Sequence, residues 1–153
     1  MNVCLLRVGI DTGSGGALGP IWKDRTFEFI PIPELTGETS APTYADLPAM
    51  KAGRLSQYVP KLSKTPAHAD PEFDTFTYGD YSHGPKGSLK NLSLGDILAF
   101  YAGPRPLGET GRGGLYLIGY FEVEMVREAS SSTKADLQSL FPNNFHVKHR
   151  NLV

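Results

Sequence analysis

Residues 3–10, VCLLRVGI, form an apolar run broken only by Arg7, and the string DTGSGG follows at once. This predicts a buried strand over 2–10 that feeds a glycine loop. In TFEFIPI, Phe27 and Phe29 alternate with Glu28 and Ile30, which predicts a strand over 26–32. Pro31 and Pro33 put that strand at a sheet edge, because proline offers no ladder donor. Leu55, Tyr58 and Val59 keep helical spacing until Pro60, so a short helix is expected over 50–59. Further strands are predicted over 73–78, over 96–102 after the Leu94-Gly95-Asp96 turn, and over 114–126, where Gly119 marks a bulge or bend. Ser131 to Thr133 can cap a helix over 134–141 that Pro142 ends. Residues 145–153 read as extended, and Asn151-Leu152-Val153 as the start of another strand. The natural chain is therefore expected to continue beyond Val153.

Composition narrows the class. With 17 glycines and 12 prolines in 153 residues, the chain has many turns and few long helices. It is long enough to bury a core as one domain, expected over 1–153. Cys4 is the single cysteine, which excludes a disulfide framework and a multi-cysteine zinc site and fits a reducing compartment. No apolar run reaches the roughly 18 residues that span a bilayer, so no membrane partner is expected and the default compartment is cytoplasmic. The net charge of -1 argues against non-specific coating of nucleic acid. Locally, Lys51, Arg54, Lys61 and Lys64 form a basic stretch and Asp70, Glu72, Asp74 and Asp80 an acidic one. Two solvated patches are the plain reading, and a basic wall along a nucleotide groove is the other.

Several segments carry candidate chemistry. Asp11-Thr12-Gly13-Ser14 is the string of aspartic proteases, but it occurs once, and those enzymes need two carboxylates sharing a proton, so a protease would have to dimerise. Gly13, Gly15, Gly16 and Gly19 do not open a helix with apolar periodicity, so a dinucleotide fingerprint fails, and no Lys-Ser/Thr pair closes a P-loop. Consecutive amides at Gly13, Ser14, Gly15 and Gly16 can still form an anion-binding nest with Asp11 at its rim, or simply a tight turn. His68 beside Asp70 suits an acid–base pair, or a histidine satisfied by turn hydrogen bonds ahead of Pro71. His146 and His149 stand three apart in a stretch that reads extended, which sets them on opposite faces, and no metal site is assigned. Phe76-Thr77-Tyr78-Gly79-Asp80-Tyr81 joins aromatic rings to a carboxylate, next to His83, Lys86 and Lys90. Rings stack bases and a carboxylate accepts from an exocyclic amine; a strand with Phe76 and Tyr78 facing the core is the alternative.

The motifs taken in order carry a resemblance. Arg7-x-Gly9-x-Asp11-x-Gly13-Ser14-Gly15-Gly16, Thr43-Tyr44-Ala45-Asp46-Leu47, His68-Ala69-Asp70-Pro71 and Thr75-Phe76-Thr77-Tyr78-Gly79-Asp80 follow one another. Leu94 to Gly103, Tyr116 to Phe121 and Asn144-Phe145-His146-Val147 continue the series. Together they resemble the third family of nucleotide-modification-associated domains over nearly the whole chain. The arrangement is also similar to the wider pseudouridine-synthase-and-archaeosine-transglycosylase-like group, including EVE and ASCH domains. Those are small bent barrels that bind RNA or modified DNA bases.

The resemblance implies an α+β fold with a curved, partly closed mixed sheet, a PUA/EVE-like barrel with short peripheral helices. It implies a nucleotide or nucleic-acid partner, with DNA ahead of RNA. The expected site joins the DTGSGG loop to the His68–Asp80 segment at one mouth of the sheet. Arg7, Gly13, Ser14, Gly15, Gly16, Tyr78, Asp80 and His146 would bind the ligand, and Asp11, His68 and Asp70 would act as acid–base or orienting groups. No cofactor is named. A reader of modified bases, a nucleotide-processing enzyme and a non-catalytic interaction module all remain open on the sequence.

Overall fold

A computed structural model of the chain describes residues 1–35, 37, 40–80, 89–107 and 113–149. The chain divides into two compact units. The first comprises residues 1–6, 70–100 and 118–153, the second residues 7–69 and 101–117.

Three strands form the largest sheet: β1 (Val3–Arg7), β5 (Ile97–Ala102) and β7 (Tyr116–Glu122), with β5 in the middle. The Ile97 N–H donates to Asn2 O and the Val8 N–H to Tyr101 O, so β1 and β5 run parallel. Gly95 N–H to Val123 O and Val123 N–H to Asp96 O start the antiparallel approach of β5 and β7. Strands expected over 2–10, 96–102 and 114–126 thus occur, each shorter than the span expected for it. The fold is mixed α+β with sheets of two and three strands, and no closed barrel is present among the described residues.

In the first unit the covered sheet face carries an aromatic cluster. Phe100 and Phe121 pack edge to face with centroids 4.8 Å apart, and Phe73 meets both at 5.6 and 5.7 Å. Gly119 exists for this contact: a Cβ there would stand 2.8 Å from the Phe73 ring. Helix α1 (Lys134–Leu140) starts at Thr133, whose hydroxyl accepts the Asp136 N–H while Asp136 reaches back to the Thr133 N–H. Leu137 is its buried residue, and helix α2 (Phe145–His149) lies against it.

That second helix corrects the extended reading of 145–148. Asn144 starts it, its side-chain Oδ1 accepting the N–H groups of His146 at 3.1 Å and Val147 at 3.4 Å. On a helix, His146 and His149 share one face rather than opposing faces. Residues 151–153 lie outside the described residues. The stretch 73–78 is a tight turn, not a strand: Glu72 and Thr77 pair across it and Phe76 adopts φ +54.

The core of the second unit gathers Ile10, Ile30, Tyr44, Leu55, Val59 and Ala67. Tyr44 is wholly buried, and its hydroxyl donates to Pro31 O at 2.7 Å, which explains the Thr43–Leu47 motif as a packing anchor. Instead of a strand over 26–32, the structure has a bridge between Ile21 and Phe27 and a two-residue strand, β3 (Ile32–Pro33), paired antiparallel with β4 (Ala67–His68). The proline pair leaves too few donors for a longer ladder. Of the alternating positions, Glu28 and Ile30 face inward. The expected helix over 50–59 is two 3₁₀ turns, Leu55–Gln57 and Pro60–Leu62, because Gly53 at φ +80 and Pro60 leave no room for a longer helix. A parallel pair, β2 (Pro20–Ile21) with β6 (Arg105–Pro106), completes this unit. Of the loop between Gly103 and Gly114, residues 108–112 lie outside the described residues.

Candidate functional site

Two polar constellations stand out, one in each unit. In the first, Asp70 and His146 are buried, with side chains 1 % and 8 % exposed. His146 Nε2 lies 3.3 Å from Asp70 Oδ2 and 3.0 Å from Gly79 O, and both neighbours are acceptors. Nε2 therefore carries a proton and shares it between them. The Gly79 N–H donates to the same Asp70 oxygen at 3.0 Å. A Cβ at Gly79 would run into the imidazole ring, so only glycine lets this backbone lie against His146.

Three separate sequence motifs thus meet in one network: Asp70 from HADP, Gly79 from TYGD, and His146 with its helix-starting Asn144 from NFHV. Burying a carboxylate and an imidazole costs desolvation, which their mutual contact and the Gly79 hydrogen bonds offset. Tyr78 sits beside the network with its ring 5.5 Å from Phe100. Burial, followed by the charges of Asp80 and Asp70, pushes its phenol well above the ordinary tyrosine range. Asp80 is exposed. His83 and Lys86 lie outside the described residues.

In the second unit, Asp11 fills its own glycine loop. Its Oδ1 accepts the N–H groups of Gly13 at 2.8 Å and Ser14 at 2.6 Å, its backbone O accepts the Gly16 N–H at 2.9 Å, and Oδ2 meets Arg7 at 2.8 Å. The nest that the sequence offers to an anion holds a carboxylate of this chain. Arg7, Asp11, Gly13 and Ser14 are brought together, and Gly15 pairs back to Asp11 across an isolated bridge.

His68 has a partner that motif reading missed. The β3–β4 register places Ile32 opposite His68, and Glu34 follows β3 with its side chain 1 % exposed. Its Oε2 lies 2.8 Å from His68 Nδ1. A carboxylate on Nδ1 fixes the imidazole's tautomer and orientation, as in acid–base and metal sites. Nothing local marks Glu34, since the contact depends on pairing two strands 34 residues apart.

Other polar motif residues have structural duties. Asp96 accepts the backbone N–H groups of Asn2 at 2.6 Å and Ser93 at 3.0 Å, and these bonds hold its carboxyl below the usual range. Among the basic stretch, Lys51 binds Asp24 at 2.9 Å and lies over Trp22, and Arg54 donates to Asp46 O. The Thr26 hydroxyl and then Lys51 lower Asp24 to about 2. Lys61 and Lys64 are solvated.

The Gly13–Gly16 loop belongs to the second unit and Tyr78–Asp80 to the first. Within the second unit, Gly9, Phe27, Ile30 and Pro104 help to line a void of about 10 Å³, room for one water. In the first, an open groove of about 350 Å³ runs beside Asn2–Leu5 and Asn91–Leu92. No helix among the described residues is long and apolar enough to cross a membrane.

The family model described as nucleotide modification associated domain 3 matches residues 2–153. No curated protein and no solved structure matches the chain.

Proposed function

The chain belongs to the nucleotide modification associated domain 3 family, and from that premise we propose that it binds a nucleotide or a modified nucleobase, DNA-derived ahead of RNA-derived. The observation that carries this reading is the match over residues 2–153, joined to the meeting of Asp70, Gly79 and His146 in one buried network. In this reading the network is the recognition centre of the first unit. His146 and Asp70 hold the Gly79 backbone from behind, so that a base bound against the Tyr78–Asp80 segment meets a fixed edge, where hydrogen bonds discriminate strongly. Tyr78 and Asp80 stand at its border, the first as an apolar wall and the second as an acceptor for an exocyclic amine.

The β1–β5–β7 sheet is read as the counterpart of the curved sheet of PUA/EVE-like barrels. In the second unit, taken by itself, Arg7, paired with Asp11 over the Gly13–Gly16 loop, is the group that would meet a phosphate. Base capture from a duplex costs a few kcal/mol of unstacking. With a net charge of -1, single-stranded or free nucleotide ligands suit the chain better than intact duplex.

The test is an NMR titration with free nucleosides, nucleotides and oligonucleotides carrying methylated bases. Shifts that include Gly79, Tyr78 and the His146 ring support the reading, and no shift with any ligand overturns it.

A second reading, a nucleotide-processing enzyme, is favoured by the Glu34–His68 contact of 2.8 Å. A carboxylate-held imidazole is a competent proton-transfer group. Under this reading Asp11→Asn and His68→Gln abolish turnover of a nucleotide substrate while leaving its binding in place.

A further inference from the structure

We propose that Phe76 is a stacking platform for the face of an unpaired nucleobase. Two independent features of this residue point there. The residue is 73 % exposed, in the turn closed by Glu72 and Thr77. Its backbone adopts φ +54, a region that costs an L-residue free energy and that bulky side chains rarely enter. Strain of this kind persists only where the surrounding structure holds it, and such outliers cluster where a ligand is held.

Arg25 supplies the contrast. It also has positive φ, +66, but it is a charged residue in a hairpin turn closed by Trp22 N–H to Thr26 O and Arg25 N–H to Trp22 O, and its exposure loses nothing.

The Phe76 ring is aimed, not loose. It leans edge to face on Phe121 with centroids 5.7 Å apart, while the turn below is tied by Glu72 N–H to Thr77 O at 3.0 Å and Thr75 Oγ1–H to Glu72 Oε2 at 2.9 Å. One rigid aromatic face thus meets solvent at little further entropic cost, the property that makes rings good base platforms.

The surrounding charge selects the part of the ligand. The turn that carries the ring holds exposed Asp74 and no cation among its residues, and Lys148 is matched by Glu72 at 3.4 Å, so the turn offers a phosphate little and an amino-bearing heterocycle more. The ligand class is therefore the base of a nucleoside, bound with little dependence on salt.

This inference rests on the nucleotide reading above, and one experiment separates the two. Deoxycytidine, 5-methyldeoxycytidine, deoxyadenosine, N6-methyldeoxyadenosine and their 5′-monophosphates are titrated into the unaltered chain, Phe76→Gly and Phe76→Trp, with thermal unfolding measured on each. Expected is a drop in affinity of tenfold or more for Phe76→Gly, with its unfolding temperature unchanged or raised, and retained affinity for Phe76→Trp. Nucleosides and monophosphates bind alike, and affinity changes less than threefold between 50 and 300 mM salt. If the unaltered chain binds and Phe76→Gly binds equally, the platform is overturned and the nucleotide reading stands. If Phe76→Gly unfolds, the ring is structural and the platform is likewise overturned. If the unaltered chain binds none of these compounds, both readings fall.

Discussion

Gly79 and His146, 67 residues apart, are fitted to each other: the imidazole occupies the space that any side chain at Gly79 would need, and it donates to the Gly79 carbonyl at 3.0 Å. The glycine of TYGD and the histidine of NFHV therefore form one structural feature. Gly79→Ala is predicted to push the ring off Asp70 and to destabilise the fold by about 1–3 kcal/mol, the usual cost of overpacking. Denaturant unfolding measures the loss, and the His146 ring resonances should move with it. An alanine variant of unchanged stability would show that the ring has other room.

Gly119→Ala tests the second close approach. With a Cβ 2.8 Å from Phe73, the aromatic cluster must repack, at a similar cost of about 1–3 kcal/mol. Gly13→Ala, whose Cβ would stand 3.4 Å from Asp11 Oδ1, should cost under about 1 kcal/mol, the scale of an exposed glycine exchange. Equal losses in the two variants would contradict the packing described.

Asp11 governs the glycine loop. Asp11→Ala removes the acceptor of two amides and the partner of Arg7, with an expected loss of about 1 kcal/mol. The freed amides and guanidinium should then bind inorganic phosphate more tightly than the unaltered chain does, seen as shifts at Gly13 and Ser14 in an NMR titration. Tighter phosphate binding by the unaltered chain would show that the nest is open in its presence.

Glu28 sets a pH dependence. It is buried, and desolvation raises its carboxyl above the usual range, with the Met50 N–H bond at 2.8 Å opposing. A raised folded-state value means that the folded chain holds the proton more firmly. The stabilising contribution is complete below the unfolded value of 4.5 and is lost as pH rises through the folded one. Glu28→Gln should therefore raise the unfolding temperature at pH 7 by about 1–3 °C and have little effect at pH 4. Asp96 works in the opposite sense: its lowered value gives stability above 3.8 that is lost as pH falls.

Strong local patterns were readable from the chain. The apolar runs at 3–7, 97–102 and 116–122 became the central sheet, and Thr133 with Asp136 wrote the start of α1. Where the outcome depended on long-range partners, local reading failed. FHVKH has no helical periodicity to detect in five residues, and Asn144 alone announces the turn. Phe76 sits in an alternating pattern, yet a left-handed backbone reverses its direction and takes it out of the core. Asp70 and His146 were singled out one by one, but their pairing spans 76 residues, and Glu34 carried no signal at all.

The most direct test of the nucleobase reading follows the Gly79 amide and the His146 ring by NMR while methylated and unmethylated nucleosides are added. Saturable shifts at both groups are predicted, and the Gly79 shift should vanish in His146→Ala while a variant at solvated Lys61 keeps both. Shifts that bypass Gly79 and His146, or a Gly79 shift that survives in His146→Ala, would contradict the claim that this buried network holds the base-binding segment.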